Sequence, residues 1–208
     1  MPYGFLDIAI TPSVRAAQAA MGSAEAWIDF RGQRAFDRFT PHEATFIAER
    51  DSFYIASVAE TGWPYVQYRG GPKGFLRQID DRTLAFADFR GNRQYLTVGN
   101  VSADQRVSLI LMDYPGRARL KIFAHAEIVQ LDADPDLAER VLTSGYKAHP
   151  ERVILLHLKA FDWNCPQHIF PRFTEAEVAQ AVAPLRDRLE KLEAENAALR
   201  AKIADEGA

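Results

Sequence analysis

Cysteine is nearly absent, with Cys165 alone among 208 residues. A single thiol excludes an intrachain disulfide framework and fits a reducing, cytoplasmic setting. No apolar run approaches the roughly 18 residues of a membrane span. The first ten residues also lack the basic start of a secretory signal. The sequence therefore predicts a cytoplasmic protein with no membrane partner. Basic excess is missing too: 25 Lys and Arg stand against 28 Asp and Glu. A nucleic-acid partner needs clustered cations to neutralise phosphates, so none is expected. No Cys/His set has zinc spacing, which leaves no metal site. Neither G-x-G-x-x-G nor a P-loop occurs. No carboxylate pair is recognisable for glycoside chemistry, and no internal repeat is visible.

What the chain does have is an ordinary globular share of apolar residues, 48%, enough for a sizeable core. Three regions separate by pattern. Residues 1–50 read as a helical segment packing on the domain that follows. Pro12 opens an Ala-rich helix over Val14–Met21 that stops at Gly22. Thr40, Pro41 and Glu43 form an N-cap, N1 and N3 signature for a second helix reaching about Arg50. Residues 51–173 are strand-like. Runs at Phe53–Val58, Pro64–Tyr68, Gly74–Ile79, Thr83–Phe89, Arg106–Met112, Arg119–Val129 and Val153–Leu158 are separated by turns such as Asp80-Asp81-Arg82 and Asp113-Tyr114-Pro115-Gly116. One helix, Pro135–Ser144, interrupts them and ends at Gly145. Six or seven short strands with tight connections predict a mainly β, antiparallel barrel.

The third region, residues 174–208, has no glycine before Gly207 and follows a heptad. Thr174-Glu175-Ala176-Glu177 fits a capping box. Val178, Leu185, Leu192 and Leu199 then fall at d, with Val182, Leu189, Asn196 and Ile203 at a. Leucine at d with one asparagine at a is the pattern of a parallel dimeric coiled coil. Arg188 at g would face Glu193 at e of a partner helix, and Glu195 would face Arg200. Pro184 is expected to kink or restart the helix. The clean seam, Leu185 to Ile203, then spans about 19 residues or roughly 28 Å, which is marginal alone. A helix folded back on its own barrel is the competing reading.

Several segments occur in a telling order. Pro64-Tyr65-Val66-Gln67-Tyr68-Arg69-Gly70-Gly71-Pro72 is followed by Leu84-Ala85-Phe86-Ala87-Asp88-Phe89-Arg90-Gly91-Asn92-Arg93-Gln94-Tyr95. Next come Thr97-Val98-Gly99-Asn100 and Gln105-Arg106-Val107-Ser108-Leu109. This succession, over about residues 40–173, resembles the pyridoxamine 5'-phosphate oxidase-like flavoproteins. The resemblance implies a six-stranded antiparallel split β-barrel, with flanking helices, that forms a homodimer. It also implies FMN in clefts at the subunit interface. Asn92 and Arg93 match phosphate-binding positions, and Arg69, Gly70 and Gly71 lie on a strand flanking the flavin. Gln67 matches a position facing the ring and ribityl chain. Ala87 and Asp88 match a stretch whose backbone contacts the isoalloxazine. Thr97 and Asn100 are implied at the ribityl or phosphate end. Arg119 or Lys121 would supply a cation near N1/O2 of the reduced ring.

The segment Phe161–Phe173 resembles the family's closing segment, which in true pyridoxamine 5'-phosphate oxidases ends in Arg-x-His-x-Arg-Phe. Arg172-Phe173 matches its end, with Arg172 touching FMN. His168 stands where the substrate-handling Arg belongs, and Phe170 replaces the His. Phosphorylated vitamin B6 is therefore a doubtful substrate. Trp163, Gln167 and His168 are the substrate-side candidates, although Trp163 equally suits a barrel plug. Cys165 reads as a buried inert thiol. His42, His125, His149 and His157 show no pairing pattern, which disfavours haem. No residue is assigned as catalytic. The leading reading is an FMN-dependent oxidoreductase acting on a small-molecule substrate or electron donor. The alternative is a non-catalytic flavin-binding or redox-sensing module.

Overall fold

A computed structural model describes residues 4–28, 37–163 and 166–206. The chain divides into two compact units: Met1–Asp113 with Arg117–His168, and Tyr114–Gly116 with Ile169–Ala208. Expectations for Asn164 and Cys165 lie outside the described residues.

The first unit is built on one antiparallel sheet. Its strands are β1 (Ser52–Val58), β2 (Pro64–Gly70), β3 (Arg77–Gln78), β4 (Thr83–Phe89), β5 (Arg106–Asp113), β6 (Ala118–Gln130) and β7 (Pro150–Trp163). Their order in the sheet is β2-β1-β5-β6-β7-β4-β3. This is the mainly β split barrel the sequence predicts, with seven strands among the described residues where the family resemblance implies six. Strand β3 is shorter than the expected Gly74–Ile79 run because Gly74 turns the chain away from strand geometry. Gly74 has φ +76°, its amide donates to Arg50 O at 2.8 Å, and a Cβ there would stand 2.9 Å from Ala48 O. Phe75 and Leu76 then drop into the core, leaving only Arg77 and Gln78 to pair with β4.

The helices of this unit are α1 (Phe5–Ala9), α2 (Pro12–Ala20), α3 (Ala24–Ile28), α4 (Pro41–Ala48), α5 (Leu96–Ala103) and α6 (Pro135–Val141). Sequence reasoning found α2, α4 and α6 but missed α1, α3 and α5. The predicted capping box of α4 is present: Thr40 N and Oγ1 donate to Glu43 Oε2 at 2.9 and 2.6 Å.

Strand β4 explains much of the packing. Its interior is buried continuously rather than alternately, because both faces are covered. Leu84 and Phe86 point into the main core with Phe53, Leu109, Leu120, Ile122 and Phe161. Ala85 and Ala87 pack on the other face against Leu137 and Val141 of α6. Asp88 continues the Leu84–Phe86 row, so the strand ends by presenting a carboxylate on the main-core side. A register irregularity between Asp88 and Phe89 follows at once. Such bulges bend a strand and re-aim what comes next, here the turn into α5.

The second unit contains one long helix, α7 (Glu175–Glu206). Thr174 caps it reciprocally, its amide donating to Glu177 Oε2 at 2.7 Å and Glu177 N donating to Thr174 Oγ1 at 3.2 Å. The element continues through Pro184 without restarting.

Candidate functional site

The turn between β4 and α5 has unusual backbone geometry. Arg93 and Tyr95 adopt φ 63° and 53°, in the left-handed region that ordinary side chains disfavour. Each costs on the order of 1 kcal/mol, so the surrounding structure must hold them. The reason α5 escaped sequence reasoning lies in the same turn. Its N-cap is Tyr95 in the left-handed conformation, and no side chain caps the helix. None of the usual Ser, Thr, Asp or Asn signals therefore precedes it. An uncapped helix start leaves backbone N–H groups and a partial positive charge available to an anion.

A polar cleft of about 190 Å³ opens beside this turn. Gln67 and Arg69 reach it from β2, Asp88 from β4, Asn92 and Arg93 from the turn, and Thr97 from α5. Six of the predicted cofactor residues, drawn from four elements, are thereby brought together. The lining residues that were not nominated include Tyr65, Tyr95 and Glu151. Glu151 arrives from the start of β7, 56 positions beyond Tyr95, and no local pattern links the two.

The charges are connected. Asp88 is 5% exposed and sits 3.5 Å from Arg69 Nη1 and 3.2 Å from Arg152 Nη1. Burial pushes its carboxyl above the usual range, and the two guanidiniums only partly counter it. Glu151 accepts from Arg90 Nε at 2.9 Å, Tyr95 Oη at 3.1 Å and Arg152 Nη2 at 3.0 Å. The Arg90 hydrogen bond in particular holds its carboxyl below the usual range. Arg152 lies 4.9 Å from the centroid of the Tyr95 ring. A hydrogen bond to Tyr95 holds the Arg93 guanidinium above its ordinary value. Asn92 Oδ1 accepts from Gln94 N at 3.1 Å, which shapes the turn and leaves its amide NH₂ for other use. Gln67 accepts from Tyr65 Oη and donates weakly to Tyr68 O at 3.4 Å. The Nε atoms of Arg69 and Arg119 are buried with no acceptor among the described residues. An orphaned buried donor costs about 1–3 kcal/mol.

The other predicted residues are placed elsewhere. Gly70 closes β2, and Gly71 is demanded by packing: a Cβ there would lie 2.6 Å from Phe75 Cγ. Ala87 turns its methyl toward α6, so only its backbone faces other partners. Asn100 donates to Ser57 Oγ on β1 at 3.0 Å. Arg119 lies on β6 opposite Met112. Lys121 is already engaged, 2.7 Å from Asp162 and 4.6 Å from the Phe5 ring centroid. Arg172 stacks over Tyr114 within the second unit at 4.9 Å. Gln167 and His168 are exposed, His168 with φ 64°. Trp163 donates to Glu43 Oε1 at 2.8 Å and meets Phe46 edge-on at 4.7 Å, against the barrel core.

Comparison with known proteins supplies the family. No curated protein matches the chain. Among solved structures, a candidate pyridoxamine 5'-phosphate oxidase of Lactobacillus delbrueckii is 20% identical at a TM-score of 0.47, over 62% of this chain and 96% of its own. HupZ of Group A Streptococcus is 15% identical at 0.46, over 65% and 100%. A protein of Clostridium acetobutylicum related to general stress protein 26 is 13% identical at 0.46, over 66% and 94%. The family model for pyridoxamine 5'-phosphate oxidase matches residues 39–163, which is more than half of the chain. The chain belongs to the pyridoxamine 5'-phosphate oxidase family.

Proposed function

We propose that this protein binds FMN at the β4–α5 cleft and uses it in an oxidoreductase reaction. The observation that carries this reading is the convergence of Arg69, Asn92, Arg93 and the uncapped start of α5 on one polar cleft. A phosphate monoester carries nearly two charges. Desolvating it requires cations and N–H donors already aimed at one spot. The residues fit that demand. Arg93 supplies a charge held by Tyr95, Asn92 a side-chain amide, and α5 its first backbone N–H groups. The buried Nε of Arg69 has no acceptor among the described residues and would gain one from an anionic ligand.

Cofactor pockets commonly run to about 300–1,000 Å³, well above the roughly 190 Å³ cleft of one chain. The cleft suits the phosphate end of the cofactor. A second copy of the chain would complete the rest, which favours a homodimer with shared sites. Bound FMN would supply two-electron redox chemistry between a small reductant and oxygen or another acceptor. Gln67 would orient the polar edge of the ring or ribityl chain. Arg119, with its unpaired Nε, suits the cation role better than Lys121, whose charge Asp162 already balances. At the substrate side, His168 and Phe170 stand where a vitamin-phosphate oxidase carries Arg and His. That difference argues against pyridoxamine 5'-phosphate as the substrate.

The test is FMN titration of flavin-stripped protein, followed by fluorescence quenching. Arg93→Ala and Asn92→Ala should each weaken binding roughly 5- to 150-fold. Unchanged affinity in both would remove the phosphate site from this turn. Photoreduction followed by stopped-flow reoxidation, with and without candidate substrates, then separates turnover from passive binding.

A further inference from the structure

The second unit presents a feature that flavin binding does not use. Helix α7 exposes its whole apolar seam: Leu185 is 69% exposed, Leu189 56%, Leu192 44%, Leu199 59% and Ile203 70%. Isolated exposed leucines are ordinary, but a stripe at heptad spacing along one helix is not. We infer that α7 is one strand of a parallel two-stranded coiled coil whose other strand is α7 of a second copy of this chain.

Three observations select that occupant. First, the charges beside the seam complement their own copies. In a parallel pair, Arg188 at g meets the partner helix at its Glu193 position, and Glu195 meets it at its Arg200 position. Second, Asn196 is the single polar residue at an a position. A parallel homodimer sets the two Asn196 amides face to face, where they hydrogen-bond. In any antiparallel pairing a faces d, and the seam's d positions 178, 185, 192 and 199 are valine or leucine, so the amide would be buried unpaired against them. Third, a concavity on α7 is lined by Leu189, Leu192, Glu193 and Asn196 among others. Those four are the a, d, e and next a residues that receive a d-position knob in a parallel dimer. Leu192 of a second copy is that knob.

The α7 contact would raise the effective concentration of one barrel for another, while Asn196 fixes the register.

Disulfide trapping tests the inference on the full chain, with Cys165→Ser as background. A disulfide forms only where two Cα atoms approach within about 7 Å. Asn196→Cys lies on the axis of the proposed pair, whereas Ala194→Cys lies on its outer surface. Under mild oxidation the 196 variant should link chains roughly tenfold faster or more than the 194 variant, given that geometric limit. Leu199→Cys, on the next layer, should behave like the 196 variant and guards against a local effect of replacing the asparagine. Equal rates at 194, 196 and 199 would overturn the inference, as would linkage only between Cys at 185 and Cys at 196 in mixed variants, the antiparallel outcome. Leu192→Glu with Leu199→Glu should abolish trapping through a further Cys at 189, and trapping that persists in that variant would overturn the inference.

Discussion

Two buried carboxylates in the barrel unit make an informative pair. Glu43 and Asp88 are 4% and 5% exposed, yet their surroundings push them in opposite directions. Burial alone would raise both. At Glu43 the donors Thr40 N, Thr40 Oγ1 and Trp163 Nε1 outweigh it, and the carboxyl lies below its usual range. At Asp88 burial outweighs Arg69 and Arg152, and the carboxyl lies above its usual range. A carboxylate with its lone pairs filled by local donors pins α4 to the end of β7. One left under-compensated at a strand end, beside Arg69 and Arg152, lines the cleft proposed for the cofactor.

The comparison can be broken at either end. Arg152→Met removes the nearer cation from Asp88 and a donor from Glu151, leaving a buried charge with one partner. It should cost about 3 kcal/mol in denaturant unfolding, and Asp88 should titrate higher still. Glu43→Ala orphans the Trp163 indole N–H and the cap of α4, at about 2–3 kcal/mol. Trp163 fluorescence should shift as its indole loses that acceptor. If Glu43→Ala were neutral, the structural role given to this carboxylate would be wrong.

The pH dependence sharpens the contrast. Glu43 has a depressed folded value, so its contribution is present above its unfolded pKa near 4.5. It is lost as pH falls through the lower folded value. Asp88 has an elevated folded value, so ionisation costs stability above that value, and the cost is relieved as pH falls through it. Denaturant midpoints measured from pH 7 downward should therefore show Asp88→Asn no less stable than wild type at neutral pH, with any advantage shrinking in acid. Glu43→Gln should lose most at neutral pH and converge on wild type in acid. Parallel curves for the two variants would erase the distinction.

How much of this was legible follows from the same residues. Strand β4 matched its predicted span because Asp80-Asp81-Arg82 and Gly91 punctuate both ends. The strands β6 and β7 ran longer than expected, since their ends are held by pairing with neighbouring strands rather than by local propensity. Helix α5 was invisible because Gly99 lies within it and a left-handed Tyr95 replaces a capping side chain. In the cleft, Gln67, Arg69, Asp88, Asn92, Arg93 and Thr97 could be nominated from the order of segments. Glu151 could not, because only the β4–β7 ladder carries it there, and Tyr95 could not, because nothing in the sequence marks its left-handed backbone. Gly71 shows the converse: a residue nominated for a ligand has a sufficient explanation in the Phe75 ring beside it.

The most direct measurement is FMN uptake by flavin-stripped wild-type protein alongside Arg93→Ala, read by absorbance and equilibrium dialysis. Wild type should bind one FMN per chain and show flavin bands near about 375 and 450 nm, as the cofactor itself dictates. Arg93→Ala should remain folded and bind roughly 5- to 150-fold more weakly. Folded wild-type protein that takes up no FMN would contradict the account at its centre.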